Sequence, residues 1–188
     1  MKTNPLKNHL AMATGLGAVV LFSVIAYATI TTVGITVGTN SHSELLPKLL
    51  AVPKVDLPAT VTFRTISFAP GDVAAWHYHP GPLFTVLTRG TVTVEDGCGE
   101  EKVSTTGQAF EEGGRVHRGK NLGTEATFAY QMFIVPEGQP TTVNIPGNER
   151  RCGPPRSVSE CQSGWINFTH PRSFSNQGDC IQYINTGQ

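Results

Sequence analysis

Residues 71–90 read GDVAAWHYHPGPLFTVLTRG, and this stretch decides the fold. His77 and His79 stand two residues apart in an apolar and aromatic run. Alternate side chains of a β-strand project to the same face, so both imidazoles would point one way while Trp76 and Tyr78 point the other. A third histidine, His117, lies in a second glycine-studded stretch, GQAFEEGGRVHRGKN at 107–121. Three imidazoles converging from two strands make a donor set for a divalent transition metal.

The flanks of these stretches read as strands. VTFRTISF (61–68) runs into the turn Ala69-Pro70-Gly71-Asp72, and Pro80-Gly81-Pro82 separates the histidines from LFTVLTR. Gly90 divides that run from TVTVE, and Asp96-Gly97 is a turn of the kind hairpins favour. Further apolar runs lie at 108–110 and 127–135, the last ending at Pro136-Glu137-Gly138. Short strands at close spacing, broken by Gly and Pro, predict an all-β sandwich or barrel. The composition agrees, with only 15% charged residues beside 20 Gly and 13 Pro. The formal net charge of zero removes any bulk attraction to nucleic acid. Arg150, Arg151 and Arg156 read as part of a solvated linker.

The N-terminus points to export. Lys2 and Lys7 precede an uncharged stretch at 10–39, the layout of a secretory signal or a membrane anchor. Ala26-Tyr27-Ala28 fits a small-residue cleavage site. The uncharged run continues to residue 39, which is long enough to span a bilayer, since a span takes roughly 20 residues. The lysines would keep the start cytoplasmic, so both outcomes put the following domain outside the membrane, extracellular or periplasmic. Residues 1–39 are therefore expected to be a signal peptide or an apolar transmembrane helix. Residues 40–58 are expected to be a linker. Four cysteines, Cys98, Cys152, Cys161 and Cys180, all follow the apolar segment. An even number in an exported chain suggests disulfides, with three pairings open.

Gly71, His77, His79 and Gly90 resemble the first motif of the cupin superfamily, and Gly107, Gly114, His117 and Asn121 resemble the second. The resemblance covers residues 59–140 and implies a jelly-roll-like β-barrel of two antiparallel sheets. It also implies metal ligation by His77, His79 and His117, with Fe, Zn, Ni, Cu or Mn as the cofactor. The family's fourth ligand, a glutamate, falls at Leu83, which cannot coordinate a cation. Glu112, where the second motif usually has proline, and its neighbour Glu111 are candidates for a substitute carboxylate. Two adjacent glutamates in a turn are otherwise simply solvated. Three-histidine iron sites occur in some cupin-like dioxygenases, so the resemblance implies a dioxygenase-like enzyme acting on a small molecule. The alternative is a non-enzymatic domain that binds a small ligand or serves as a scaffold around a degenerate site. Arg89, Arg115 and Arg118 are candidate anchors for an anionic substrate, and Leu83, Tyr130 and Gln131 are further candidates to line the pocket. No catalytic residue is assigned. Homodimers built through strand edges are common in the family.

Beyond the barrel, residues 141–160 read as a Pro- and Arg-rich linker. Residues 161–188 resemble a cysteine-flanked tail found on exported bacterial proteins, carried by Cys161, Gly164, Trp165, Phe168, Pro171, Phe174, Asn176, Gln177, Gly178 and Cys180. So short a segment needs a staple, and Cys161–Cys180 is the natural one. Cys98 and Cys152 then remain as a weaker second pair, tying the hairpin turn to the linker.

Overall fold

The computed structural model of the chain describes residues 31–40 and 58–188. The expected signal or anchor helix falls, up to residue 30, outside the described residues, as do 41–57 of the expected linker. The rest of the apolar segment needs a correction. Thr31–Asn40 form strand β1, paired antiparallel with β2 (Ala59–Phe68). The sequence TTVGITVGTN is dominated by β-branched residues, which suit a pleated strand better than a helix. Part of the uncharged run is thus a sheet strand. No helix among the described residues is long and apolar enough to cross a membrane.

Eight more strands follow: β3 (His77–Tyr78), β4 (Leu83–Arg89), β5 (Thr91–Asp96), β6 (Glu101–Thr105), β7 (Ala109–Glu112), β8 (His117–Lys120), β9 (Thr127–Pro136) and β10 (Val143–Asn144). They form two five-stranded antiparallel sheets, ordered β1-β2-β9-β4-β7 and β10-β3-β8-β5-β6. The chain crosses between sheets at corners such as Gly90. Its φ of 79° is a left-handed conformation that only glycine takes freely.

Alternation along the strands sets the inner face of the first sheet. On β9, Thr127, Ala129, Gln131, Phe133 and Val135 are buried, while Phe128 and Tyr130 are exposed. On β4, Leu83, Thr85 and Leu87 are the buried set. Register then lines the inner residues up in rows across the sheet. One row is Thr62–Phe133–Leu83–Glu112, and the next is Arg64–Gln131–Thr85–Phe110. Leu83, Phe133 and Val135 pack together at one end, and Ile66, Phe68, Ala74 and Ala129 at the other. Each of the larger side chains contributes about 1.5–3 kcal/mol on burial. The Arg64–Gln131–Thr85 row sits between these two apolar clusters.

The C-terminal segment is more regular than its sequence suggests. Two helices, α1 (Val158–Gly164) and α2 (Gln177–Thr186), flank a cluster of Cys161, Phe168, Phe174 and Cys180. Ser157 caps α1 by accepting from the Glu160 N–H, and Asn176 caps α2 by accepting from the Asp179 N–H. These caps satisfy backbone donors that short helices leave open. The disulfide Cys161–Cys180 closes the unit, and Cys98–Cys152 ties it to the β5–β6 hairpin. Gly97 makes that approach possible, because any Cβ there would collide with the Arg151 carbonyl. The expected linker is also ordered in part. Its Ile145 packs under Trp76 and Val116, and β10 pairs with β3.

Candidate metal centre

His77 and His117 face one another across the β3–β8 ladder. His79 follows β3, where its backbone N–H donates to the Gly113 carbonyl at 3.1 Å. The three rings stand with centroids 4.5–4.9 Å apart. One ligand nitrogen from each lies within 4.8 Å of the others. The alternation expected of this stretch holds, since Trp76 is buried in a separate cluster against Val116 and Ile145.

Backbone carbonyls orient all three rings. The Nδ1 atoms of His77, His79 and His117 each lie 2.7 Å from a carbonyl oxygen, of Ala75, Thr141 and Arg115 respectively. A carbonyl only accepts, so each Nδ1 carries the proton and each Nε2 keeps its lone pair. Metal-binding histidines are held in this way by their outer neighbours. The Nε2 atoms of His79 and His117 are buried without a hydrogen-bond partner, an expensive state for a polar atom unless a ligand completes it. Burial pushes the His77 imidazole down to about 4 and that of His79 down to about 2, and it lowers His117 as well. At neutral pH all three are neutral donors. The residues present therefore fit a divalent transition metal.

A carboxyl also reaches the cluster. Glu112 pairs in register with Leu83 across β4 and β7, so it emerges beside the position where the first motif lacks its glutamate. Its Oε1 lies 3.1 Å from Nε2 of His117, close but not aligned as a hydrogen bond. Burial pushes the Glu112 carboxyl up to about 7, against the pull of His77 and Arg64. Its neighbour Glu111 is exposed. Of the two candidate substitutes, the structure turns Glu112 inward and Glu111 outward, as alternation on a strand requires.

The cluster borders a narrow cavity between the sheets. Its lining includes the apolar Ile66, Phe68, Leu87, Val92 and Phe110, and its polar members besides His77 and His79 are Arg64, Thr85, Glu112, Thr127 and Gln131. A second cleft reaches His117 and Glu112 from the other side, between the β7–β8 loop and Tyr183 and Ile184 of α2.

Of the residues expected in the pocket, Gln131 lines it. Leu83 packs instead with Phe133 and Val135 in the core. Tyr130 is 60% exposed, on the opposite face from Gln131. Arg89 is exposed and pairs with Glu125 at 3.3 Å. Arg118 lies over the Trp76 ring and pairs with Glu95 at 2.8 Å. Arg115 is buried between Asp96 and Glu160, each at 2.9 Å. None of these three arginines faces the narrow cavity, but Arg115 lines the second cleft. The inward arginine is Arg64, which the motif-based reading missed. A signal was present, since Arg64 shares the period-2 face of Ile66 and Phe68 in VTFRTISF.

Residues 64–136 match the family described as "Cupin domain". No curated protein matches the chain. Among solved structures, it is similar to an uncharacterized conserved protein with a double-stranded β-helix domain from Klebsiella pneumoniae. That match has 21% identity and a TM-score of 0.39, covering 45% of this chain and 73% of the other. It is also similar to a cupin superfamily protein from Desulfitobacterium hafniense, at 11% identity and a TM-score of 0.36, covering 54% of this chain and 78% of the other. A DMSP lyase from Ruegeria pomeroyi matches at 13% identity and a TM-score of 0.42, covering 47% of this chain and 45% of that enzyme.

Proposed function

Residues 64–136 form a cupin domain, and on that premise we propose that it is the metal-dependent unit of an exported, dioxygenase-like enzyme acting on a small molecule. His77, His79 and His117 are its ligands through Nε2. The observation that carries this reading is the common orientation of the rings, each Nδ1 held by a backbone carbonyl and each Nε2 turned to the same space. When bound, a divalent transition metal supplies a Lewis-acidic centre there, and iron one that can also exchange electrons. The chain's own residues do the rest. Ile66, Phe68 and Leu87 keep the cavity apolar and exclude water. Glu112 holds a carboxyl beside His117, either completing the donor set or taking a proton from the reacting molecule. Two disulfides fit an oxidising compartment, which supports export.

Leu83 at the position of the family's carboxylate favours a second reading, a small-ligand binding or structural domain with a degenerate site. Metal analysis of the purified protein, followed by oxygen uptake over thiols, diketones and phenols, separates the two. The enzyme reading expects stoichiometric metal and oxygen consumption with one substrate class. Absence of bound metal, with no rise in Tm on adding Fe²⁺ or Zn²⁺, would sink it. Bound metal without oxygen uptake would favour the binding domain.

A further inference from the structure

Arg64 stands on the inward face of β2, in a row with Gln131 of β9 and Thr85 of β4. Its Nε–H donates to Oε1 of Gln131 at 2.7 Å. The Gln131 amide in turn donates from Nε2 to Oγ1 of Thr85 at 3.3 Å. Guanidinium only donates, so the amide oxygen faces the arginine and the amide nitrogen is left for the Thr85 hydroxyl, which can accept. The guanidinium carbon lies 4.4 Å from the centroid of the Phe133 ring, a stacked arrangement that holds the fork in place. Guanidinium carries five N–H donors, and only Nε–H has a protein acceptor among the described residues. No carboxylate among them forms an ion pair with it, and the nearest electrostatic partner is Glu112 in the adjacent row. Burial pushes Arg64 down from its ordinary pKa, and the Glu112 charge offsets only part of that. An inward, half-buried cation that no carboxylate pairs directly is costly unless a ligand supplies the opposite charge at contact.

We propose that Arg64, positioned by Gln131 and Phe133, is a subsite for the carboxylate of a small, otherwise apolar organic acid held in the cavity beside the three histidines. The charge-assisted fork accounts for the anion, and the apolar lining of Ile66, Phe68, Leu87 and Phe110 accounts for a short hydrocarbon body. Its role as a substrate subsite rests on the metal-enzyme reading above, whereas anion binding is measurable without metal.

The test uses the full chain, metal-free, at pH 6.0, where butyrate is ionised while Glu112, pushed up to about 7 on the wall of the same cavity, is mostly protonated and adds no competing negative charge. Binding of n-butyrate and of its neutral analogue butyramide is followed by ligand-observed NMR. Butyrate should bind and butyramide should bind at least about tenfold more weakly, the scale of a charge-assisted hydrogen bond. Arg64→Gln should weaken butyrate by about ten- to a hundredfold. Gln131→Glu places a carboxylate against the guanidinium, and it should abolish butyrate binding while raising Tm. That second variant keeps the test decisive if Arg64→Gln folds poorly. Equal binding of butyrate and butyramide, or butyrate binding that survives in both variants, would overturn the subsite. Zinc titration of the same wild-type sample separates the two readings. Zinc uptake without butyrate binding defeats this inference alone. Butyrate binding through Arg64 without zinc uptake defeats the metal-enzyme reading, and with it the role of the pocket as a substrate subsite.

Discussion

Arg64 and Arg115 are both arginines withdrawn from solvent, and their surroundings are opposite. Arg115 lies between Asp96 and Glu160, and Glu160 accepts three further bonds from Arg156. Arg64 has one neutral amide and an aromatic ring. The same contrast appears in the glutamates. Burial alone would raise Glu160, but the Arg156 N–H and the Arg115 charge hold it below its usual range. Burial wins at Glu112 and lifts it to about 7. Around Arg115 charge is matched to charge, although Arg115 Nε and Asp96 Oδ2, 2.9 Å apart, are not aligned as a hydrogen bond, and the result docks the tail onto the barrel. Around Arg64 and the histidines polar atoms are left open. A structural cluster closes on itself, whereas a binding cluster leaves its open valences facing one space.

The strongest way to break this contrast is to remove an open valence. His77→Ala should eliminate stoichiometric zinc, a loss larger than the ten- to hundredfold that follows from disturbing an outer neighbour of a ligand. Isothermal titration with Zn²⁺ measures it, with circular dichroism confirming that the metal-free barrel is folded. Unchanged affinity would remove the distinction between the two clusters.

Breaking the closed cluster should have the reverse outcome. Arg115→Met strands Asp96 without its cation while Glu160 keeps Arg156, which costs about 3 kcal/mol, the lower end for breaking a buried pair. The backbone carbonyl of residue 115 still orients His117, so zinc binding should persist while denaturant melting shifts. Removing Cys161–Cys180 by a double Ser substitution should cost about 3 kcal/mol for its separation of 19 residues. Hydrogen exchange should then show Gln177–Thr186 losing protection while β2 and β9 keep theirs. Loss of protection across both strands would mean that the tail and barrel fold as one unit.

The histidine spacing, the turn glycines and the strand alternation were all legible locally, because each depends on neighbours a few residues away. Glu112 was not, since its placement beside Leu83 depends on a β4–β7 register between residues 29 apart (112 minus 83). A pair of adjacent glutamates gives no sign of which one turns inward until that register is known. Arg64 was legible in principle, as the one charge on an alternating apolar face, but the motifs drew attention to arginines nearer the histidines. The tail helices were also signalled. Ser157-Val158-Ser159-Glu160 has the spacing of a capping box, yet seven residues of α1 are too few for periodicity to register. The strand Thr31–Asn40 was hidden by its lack of charge, which a membrane segment and a sheet strand share.

The smallest effect separates the titrations of the open cluster itself. In the metal-free protein His77 and His79 have folded-state pKa values well below 6.5, and His117 shifts the same way. Between about pH 6.5 and 4 the unfolded chain therefore binds protons that the folded chain refuses, so these groups withdraw stability as pH falls. Glu112 acts in the opposite sense. Its folded pKa of about 7 lies above the ordinary 4.5, so it favours the folded state in acid and loses that contribution as pH rises through 7. Three groups oppose one, and the metal-free barrel should become less stable on going from pH 6.5 to 5. Glu112→Gln removes the opposing group. The slope of stability against pH in that window should then steepen by about 1.4 kcal/mol per pH unit, the value of one proton. Urea melts at pH 5.0, 5.5 and 6.0 measure the difference. Parallel slopes for the two proteins would place the Glu112 carboxyl in water rather than inside the barrel, and would leave the histidines as the whole of the open cluster.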